Sequence, residues 1–228
     1  MDGHKFRLDE SLRRWVVENE PELRDAFRTY LRSGDSVIDV GANFGIHTLY
    51  LADIVGKQGH VYAFEPIPSN LKLLQKNIRL NKQSDQVSVI AGALSDSSQP
   101  FIEMSIPADG VAVTAVISKI NKTSDAVLKV HNMRLDDYVT ANRLKPALIK
   151  IDVEGAEHEV LKGAAETMKT HRPVLVVEVH SFALPDFGSS AEILETYILS
   201  FGYNKIMLAT TAGKGGDYYH AVFVPASN

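Results

Sequence analysis

The chain has 228 residues, 45% of them hydrophobic and 23% charged, which suits one α/β domain or a domain with a small appendage. Its formal net charge of -4 offers no basic field for nucleic acid, and the lack of cysteine excludes zinc–thiolate centres and disulfides. The N-terminus, MDGHKFRLDESLRRW, has no apolar signal core, and no run approaches the ~18 apolar residues of a membrane span, so a soluble, cytoplasmic protein is expected.

Residues 8–31 read as helical, with Leu12, Trp15, Val16, Leu23, Phe27 and Leu31 as the apolar positions and Pro21 dividing them into two helices. Packing against a sheet accounts for such a pair. The functional alternative is a lid over a ligand, with Trp15 as its wall. Ser33-Gly34-Asp35 turns into the first strand, so residues 1–33 are a helical segment and 34–228 the main domain.

Residues 37–65, VIDVGANFGIHTLYLADIVGKQGHVYAFE, carry the strongest pattern. An apolar run at 37–40, broken by Asp39, leads into a glycine-rich turn at 41–45. A helical stretch follows, with Ile46, Leu49, Tyr50 and Ile54 on one face, and a second apolar run at 61–64 ends on Glu65. This is a βαβ unit, whose right-handed crossover makes the strands parallel. Ligands of such sheets bind beyond the carboxyl ends of the strands, where Asp39, the glycines and Glu65 would stand. Gly41 and Gly45 permit positive φ and close approach of a ligand to bare backbone, while the helix start directs amide N–H groups at the same space. The spacing is Gly-x-x-x-Gly, not the Gly-x-Gly-x-x-Gly of a dinucleotide site. Glu65 is placed to accept hydrogen bonds from ribose hydroxyls, and Asp39 suits a cationic amino-acid part. A nucleoside without phosphates satisfies both, and S-adenosylmethionine is such a molecule. The alternative is a tight turn whose glycines serve geometry alone.

After Glu65, Pro66 and Pro68 stop the strand and start a helix, with Leu71, Leu74 and Ile78 as its buried stripe and Asn81 as its cap. A third strand spans 87–91. The small residues at 92–96 would let a flat purine lie against backbone, and an ordinary strand-end loop explains them equally well. Residues 101–106 and 126–134 alternate like strands around a polar stretch at 107–124, in which 111–117 suits a short strand. The segment from about 100 to 134 reads as an insertion beside the sheet, of the kind that shapes a substrate pocket. A short helix at 135–141, a buried strand at 148–153, a helix with Val160, Leu161, Ala164 and Met168 as its apolar face, and a strand at 173–179 ending on His180 follow. A helix at 191–201 leads to strands at 203–209 and 218–224, joined through 213–216 as an antiparallel hairpin. The fold expected is α/β, a doubly wound, mostly parallel, Rossmann-like seven-stranded sheet whose last strand is reversed and at an edge.

Residues 148–157, LIKIDVEGAE, are unusual for a buried strand, because parallel strands are normally near-continuous apolar runs. Lys150 and Asp152 share one face by the period of two, and Glu154 and Glu157 follow in the turn. If this strand neighbours the first, and 173–179 neighbours it in turn, Asp39, Asp152, Glu154 and Glu178 gather around the single cation Lys150, with His180 beside them. Such crowding is costly unless something positive is bound or some groups are protonated. The sulfonium and ammonium of S-adenosylmethionine would supply that charge, as would a divalent metal on oxygen ligands. A Lys–Asp network that fixes strand register is the plain alternative, and for Lys150 by itself the preferred one. His180 alone says little, but a place at a strand's carboxyl end and an ordinary pKa near ~6.5 suit a general base.

DVGANFG at 39–45, the pair Glu65-Pro66, LDDYV at 135–139, KIDVEGAE at 150–157 and the strand at 174–180 resemble, in order and spacing, the FkbM-type S-adenosylmethionine-dependent methyltransferases. The resemblance covers about residues 34–180, and the combination of DVGAN with KIDVEGAE is its specific part. It implies a class I methyltransferase fold and methyl transfer to a hydroxyl of a sugar or polyketide-like natural product. By analogy Asp39, Gly41, Asn43 and Gly45 hold the methionine part, Glu65 the ribose, and Ala93 and Leu94 lie by the adenine. Ala42, Thr48, Pro66 and Asp152 complete the cofactor-binding set. Glu154, Glu178 and His180 face the methyl group or substrate together with Asp152, and with Lys150 they form the candidate catalytic set. The N-terminal helices and residues 107–124 match no part of the family pattern.

The expected reaction is O-methylation by in-line displacement, with His180 or Glu154 taking the proton. No metal ligand is assigned, although Mg²⁺ on Asp152 and neighbouring carboxylates, chelating a vicinal diol, stays open. The expected partner is a small-molecule acceptor, with neither nucleic acid nor membrane and no oligomeric state assigned. The rival classes are a cofactor-binding module without catalysis and a nucleotide-dependent oxidoreductase, the latter disfavoured by the missing third glycine.

Overall fold

The computed structural model describes residues 6–14, 20–106, 126–208 and 218–227. Trp15 and Val16, the stretch 107–124 with its candidate strand at 111–117, and the link 213–216 lie outside the described residues. In chain order the strands are β1 (Ser36–Val40), β2 (His60–Glu65), β3 (Val87–Ala91), β4 (Ala93–Leu94), β5 (Phe101–Ile106), β6 (Ala126–Met133), β7 (Leu148–Ile151), β8 (Val174–His180), β9 (Tyr203–Met207) and β10 (Tyr218–Pro225). The α-helices are α1 (Pro21–Tyr30), α2 (Ile46–Val55), α3 (Pro68–Leu80), α4 (Leu135–Ala141), α5 (Glu157–Lys162), α6 (Ala165–His171) and α7 (Ala191–Ser200).

Seven strands form one sheet in the order β3-β2-β1-β7-β8-β10-β9. β3, β2, β1, β7 and β8 run parallel. Alternate residues point to opposite faces, and both faces are covered. Val37, Leu148, Val176 and Val222 pack under α1, α2 and α3, while Ile38, Ile149, Leu175 and Phe223 pack under α4 to α7. The chain builds outward from β1 through β2 to β3, then returns to the other side of β1 with β7. Strand order reverses at the β1–β7 border, where doubly wound sheets bind their ligands.

β10 is antiparallel to both its neighbours, as the hairpin predicts, but it is not at an edge. It fills the gap between β8 and β9. The physical reason is burial. Ala221, Val222 and Phe223 are sealed on both faces, whereas β9 exposes Asn204, Ile206 and Met207 and so tolerates the edge.

α2 differs from the one-faced helix expected. Thr48, Leu49, Tyr50, Leu51, Ala52 and Val55 are all buried, while Ile46 and Ile54 are only half-buried. α1 lies over it with Leu23, Ala26 and Phe27, so α2 is covered from above and below. Among the described residues before α1, Glu10–Arg14 form a 3₁₀ turn where the sequence predicts a helix. Asp9 caps it, accepting the N–H and hydroxyl of Ser11. Asn77 of α3 and its C-cap residue Asn81 bind the backbone of Asp9 and Arg7, pinning this segment to α3. Among the described residues no helix is long and apolar enough to cross a membrane.

Residues 101–106 and 126–133 pair as an antiparallel hairpin, and β6 also pairs with β4 in a small second sheet. This sheet packs Met104 and Val130 against Ile67 and Ala93, next to the end of β2.

Candidate active site

A cleft opens at the carboxyl ends of β1, β2 and β7. Of the residues expected to bind a cofactor, Gly41, Asn43, Glu65, Pro66, Ala93, Leu94 and Asp152 line it, and Glu154 joins them. Phe64, Ile67 and Met104 give it an apolar wall. Asp39, Ala42, Gly45 and Thr48 are buried behind this lining, and Lys150, Glu178 and His180 are not part of it either.

The turn after β1 explains its glycines. Gly41 has φ +77°, and a Cβ there would stand 1.8 Å from the carbonyl oxygen of Asp152. Gly45 has φ +93°, and its Cβ would meet Leu74 of α3 at 2.5 Å. At both glycines the chain's own atoms already make a close approach to the backbone. The amides are likewise consumed. Gly41 and Ala42 donate to the carbonyl of Phe64, Asn43 to Glu65, and Gly45 to Ala42. None of these four is left to cradle a phosphate. Asn77, fully buried in α3, donates from Nδ2 to the carbonyl of Phe44 at 2.8 Å and so holds the turn from below. Sequence reading missed Asn77 because an Asn in an amphipathic helix reads as solvent-facing.

Glu65 ends β2 and is 4% exposed. Its Oε2 accepts the N–H of Asn43 at 2.8 Å, and its Oε1 accepts the N–H of Ile67 at 2.9 Å and Nδ2 of Asn70 at 3.4 Å. Burial pushes its pKa up to about 7 against the pull of these donors. A carboxylate has about four lone-pair sites, so these three donors fix Glu65 in place and leave it able to accept one more hydrogen bond from the cleft.

Behind the turn, β1 and β7 pair so that Asp39 stands opposite Lys150. Lys150 Nζ lies 3.3 Å from Asp39 Oδ1 and 3.2 Å from Asp152 Oδ2, and it donates to the carbonyl of Gly41 at 3.0 Å. The other oxygen of Asp39 accepts the hydroxyl of Thr48 at 2.6 Å. Burial opposes the charge of Lys150, but Asp152, Asp39 and Glu178 hold its pKa above the ordinary lysine value. Asp152 is pushed up by burial and, more strongly in total, held down by Lys150, His180 and His47. The arrangement is a structural ion network with one member, Asp152, facing the cleft.

His180 is buried at the end of β8 among three carboxylates. Its Nδ1 is 2.7 Å from Glu157, and its Nε2 is 3.4 Å from Glu154 and 3.6 Å from Glu178. Burial disfavours charge on the ring, but the bond to Glu157 and the charges of Glu154 and Asp152 raise its pKa to about 9. Glu154 has φ +53°, a left-handed conformation uncommon outside glycine, and directly precedes Gly155 at φ +110°. Burial, and then the neighbouring carboxylates Asp152, Glu178 and Glu157, raise the pKa of Glu154 to about 7 despite His180.

The cluster extends further than the sequence suggests. β10 sets His220 opposite Glu178, and His220 Nε2 lies 3.4 Å from Glu178 and 3.4 Å from Glu20. Glu20 in turn meets His47 Nε2 at 2.9 Å. Glu157 stood in the motif unassigned, while His220, Glu20 and His47 carried no signal, since nothing local to them predicts which strand or helix they face. Two groups among the described residues, Glu20/Glu178/His220 and Asp152/Glu178/His180, are close enough to share a cation. Each includes an imidazole, which departs from the all-oxygen set that Mg²⁺ takes, so the Mg²⁺ expectation finds no support here.

A doubly wound sheet with a reversed strand beside β8, a cleft at its switch point and an acid ending β2 is the class I methyltransferase fold. The Methyltransferase FkbM domain matches residues 39–205, and the chain belongs to that family. Hexuronic acid methyltransferase AglP of Haloferax volcanii is 29% identical over 171 residues, covering 73% of this chain and 66% of that protein. The crystal structure of methyltransferase FkbM from Methylobacillus flagellatus superposes with a TM-score of 0.59 at 21% identity, covering 90% of this chain and 50% of that one. An O-methyltransferase from Bacillus cereus in complex with SAH superposes at 0.53 with 16% identity, covering 94% of this chain and 84% of that one. The chain thus spans 66% of the length of AglP and half that of the Methylobacillus protein.

Proposed function

We propose that this chain binds S-adenosylmethionine in the cleft and methylates a hydroxyl of a sugar or polyketide-like small molecule, as a cytoplasmic enzyme. The observation that carries the reading is Glu65. It is a buried carboxylate fixed by three donors at the end of β2, with acceptor capacity toward an apolar-walled cleft that also holds Asp152 and Glu154. The name of AglP supports a sugar acceptor, and the SAH complex of the Bacillus protein supports the cofactor.

When bound, S-adenosylmethionine supplies an electrophilic methyl group. Glu65 accepts a ribose hydroxyl, and the apolar wall of Phe64, Leu94 and Met104 receives the adenine. Asp152 presents negative charge to the cationic part of the cofactor. Glu154 takes the proton of the acceptor hydroxyl, because it lines the cleft and is poised near neutrality. His180 does not line the cleft, and its two nitrogens face Glu157 and the pair Glu154 and Glu178. It positions Glu154 rather than acting as base.

Calorimetric titration with S-adenosylmethionine, followed by transfer of labelled methyl to a panel of sugars and polyhydroxylated small molecules, tests the reading. Saturable binding with label in an ether product is expected. Binding without transfer to any acceptor would make the chain a cofactor-binding module. Binding of NAD in place of S-adenosylmethionine would make it an oxidoreductase, against which the occupied amides of the β1 turn already argue.

A further inference from the structure

Methyl transfer as derived above makes no use of Glu20 and His220. Glu20 stands just before α1, Glu178 is in β8, and β10 brings His220 directly opposite Glu178. His220 is 3% exposed, and its Nε2 has no hydrogen-bond partner among the described residues. Yet that nitrogen faces two carboxylate oxygens, Glu20 Oε1 and Glu178 Oε2, each at 3.4 Å. Both contacts are longer than the ~2.7–2.9 Å of a well-formed charge-assisted N–H···O bond. They have the length found between donors that share an ion. Two atoms each about 2.1 Å from a tetrahedral centre stand about 3.4 Å apart.

The second oxygen of Glu20 is held in the way metal ligands are held, meeting His47 Nε2 at 2.9 Å. Such outer partners fix the orientation of ligating carboxylates.

We propose that Glu20, Glu178 and His220 bind one divalent transition-metal ion of the Zn²⁺ or Mn²⁺ type. Two carboxylates with a neutral imidazole match a charge of two, and the mixed nitrogen–oxygen set selects these ions over Mg²⁺ or Ca²⁺. Three protein donors leave a coordination position for water or a substrate oxygen. The neighbouring group Asp152/Glu178/His180 is the poorer candidate, because Asp152 is already paired with Lys150 at 3.2 Å and His180 Nε2 also faces Glu154 at 3.4 Å. The competing arrangement has no ion, with a protonated His220 as counter-ion between the two carboxylates. The metal site does not rest on the methyltransferase reading.

The test uses tag-free full chain, stripped with a chelator and then dialysed against Zn²⁺ alone, with metal per chain read by plasma mass spectrometry. One Zn²⁺ per chain is expected. His220→Ala and Glu20→Gln each weaken Zn²⁺ binding by more than about 100-fold, whereas His180→Ala, which removes no ligand of the site, weakens it by no more than about 10-fold. Co²⁺ in place of Zn²⁺ gives visible absorption bands that His220→Ala abolishes. Wild-type protein without bound ion, or full Zn²⁺ binding by both His220→Ala and Glu20→Gln, overturns the proposal. So does loss of the ion in His180→Ala with retention in His220→Ala. Circular dichroism confirms folding of each variant, and the near-isosteric Glu20→Gln decides the matter should His220→Ala not fold.

Discussion

Asp39 and Lys150 face each other across the β1–β7 border, 3.3 Å apart and almost wholly shielded from water. Removing the cation alone would strand Asp39 without its charge partner and deprive Asp152 of one. Breaking a buried pair in this way costs about 3–5 kcal/mol. Lys150→Met is therefore expected to lower stability by that amount in urea unfolding, and Asp39→Asn combined with it to recover part of the loss. An unchanged midpoint in Lys150→Met would show that the network contributes nothing to the fold.

Glu65 makes cofactor affinity depend on pH. Its folded pKa, near 7, is raised above the ordinary glutamate value of 4.5. In the free protein this carboxyl favours stability below about pH 4.5, and that contribution, about 3 kcal/mol, is lost as pH rises through 7. A ribose hydroxyl binds the ionised form. The dissociation constant for S-adenosylmethionine is thus expected to fall about tenfold between pH 6 and pH 8. Glu65→Gln should flatten the profile and bind weakly throughout. A profile equally steep in Glu65→Gln would assign the pH dependence to another group.

Glu154→Gln is expected to lower kcat by about 10²–10⁴-fold while cofactor affinity stays the same. In the wild type at saturating S-adenosylmethionine, kcat/KM for the acceptor should climb with pH and level off near 7, where Glu154 ionises. The glutamine variant should lack that limb. Wild-type turnover in Glu154→Gln would remove it as the proton acceptor.

Gly41→Ala places a methyl where the carbonyl of Asp152 already stands, at a backbone φ of +77°. The strand ends must part, at a cost of about 1–3 kcal/mol or more. Because Gly41 and Asp152 both line the cleft, cofactor binding should fall along with thermal stability. Normal values for both would mean the turn can shift without disturbing the cleft.

The sheet and most of the cleft are legible in the sequence because they follow from local chemistry. Period-two alternation sets Lys150 and Asp152 on one face, Pro66 and Pro68 end β2 and open α3, and Glu65 falls at a strand end by counting. What local pattern cannot supply is register between distant strands. His220 meets Glu178 only because β10 inserts between β8 and β9, and Glu20 arrives from the far end of the chain. The burial of Asn77 depends on a carbonyl, that of Phe44, thirty-three positions away. The packing of Gly45 against Leu74 is equally hidden, because Leu74 belongs to a different helix.

The interior position of β10 has a consequence for biosynthesis. β9 leaves the ribosome before β10, its hydrogen-bonded neighbour in the sheet, has been translated. Until then a nascent chain presents the open flanks of β8 and β9, both unzipped and prone to pairing with the wrong partner. Closure waits on β10, which also delivers His220 opposite Glu178, so the polar cluster forms only after β10 has been translated.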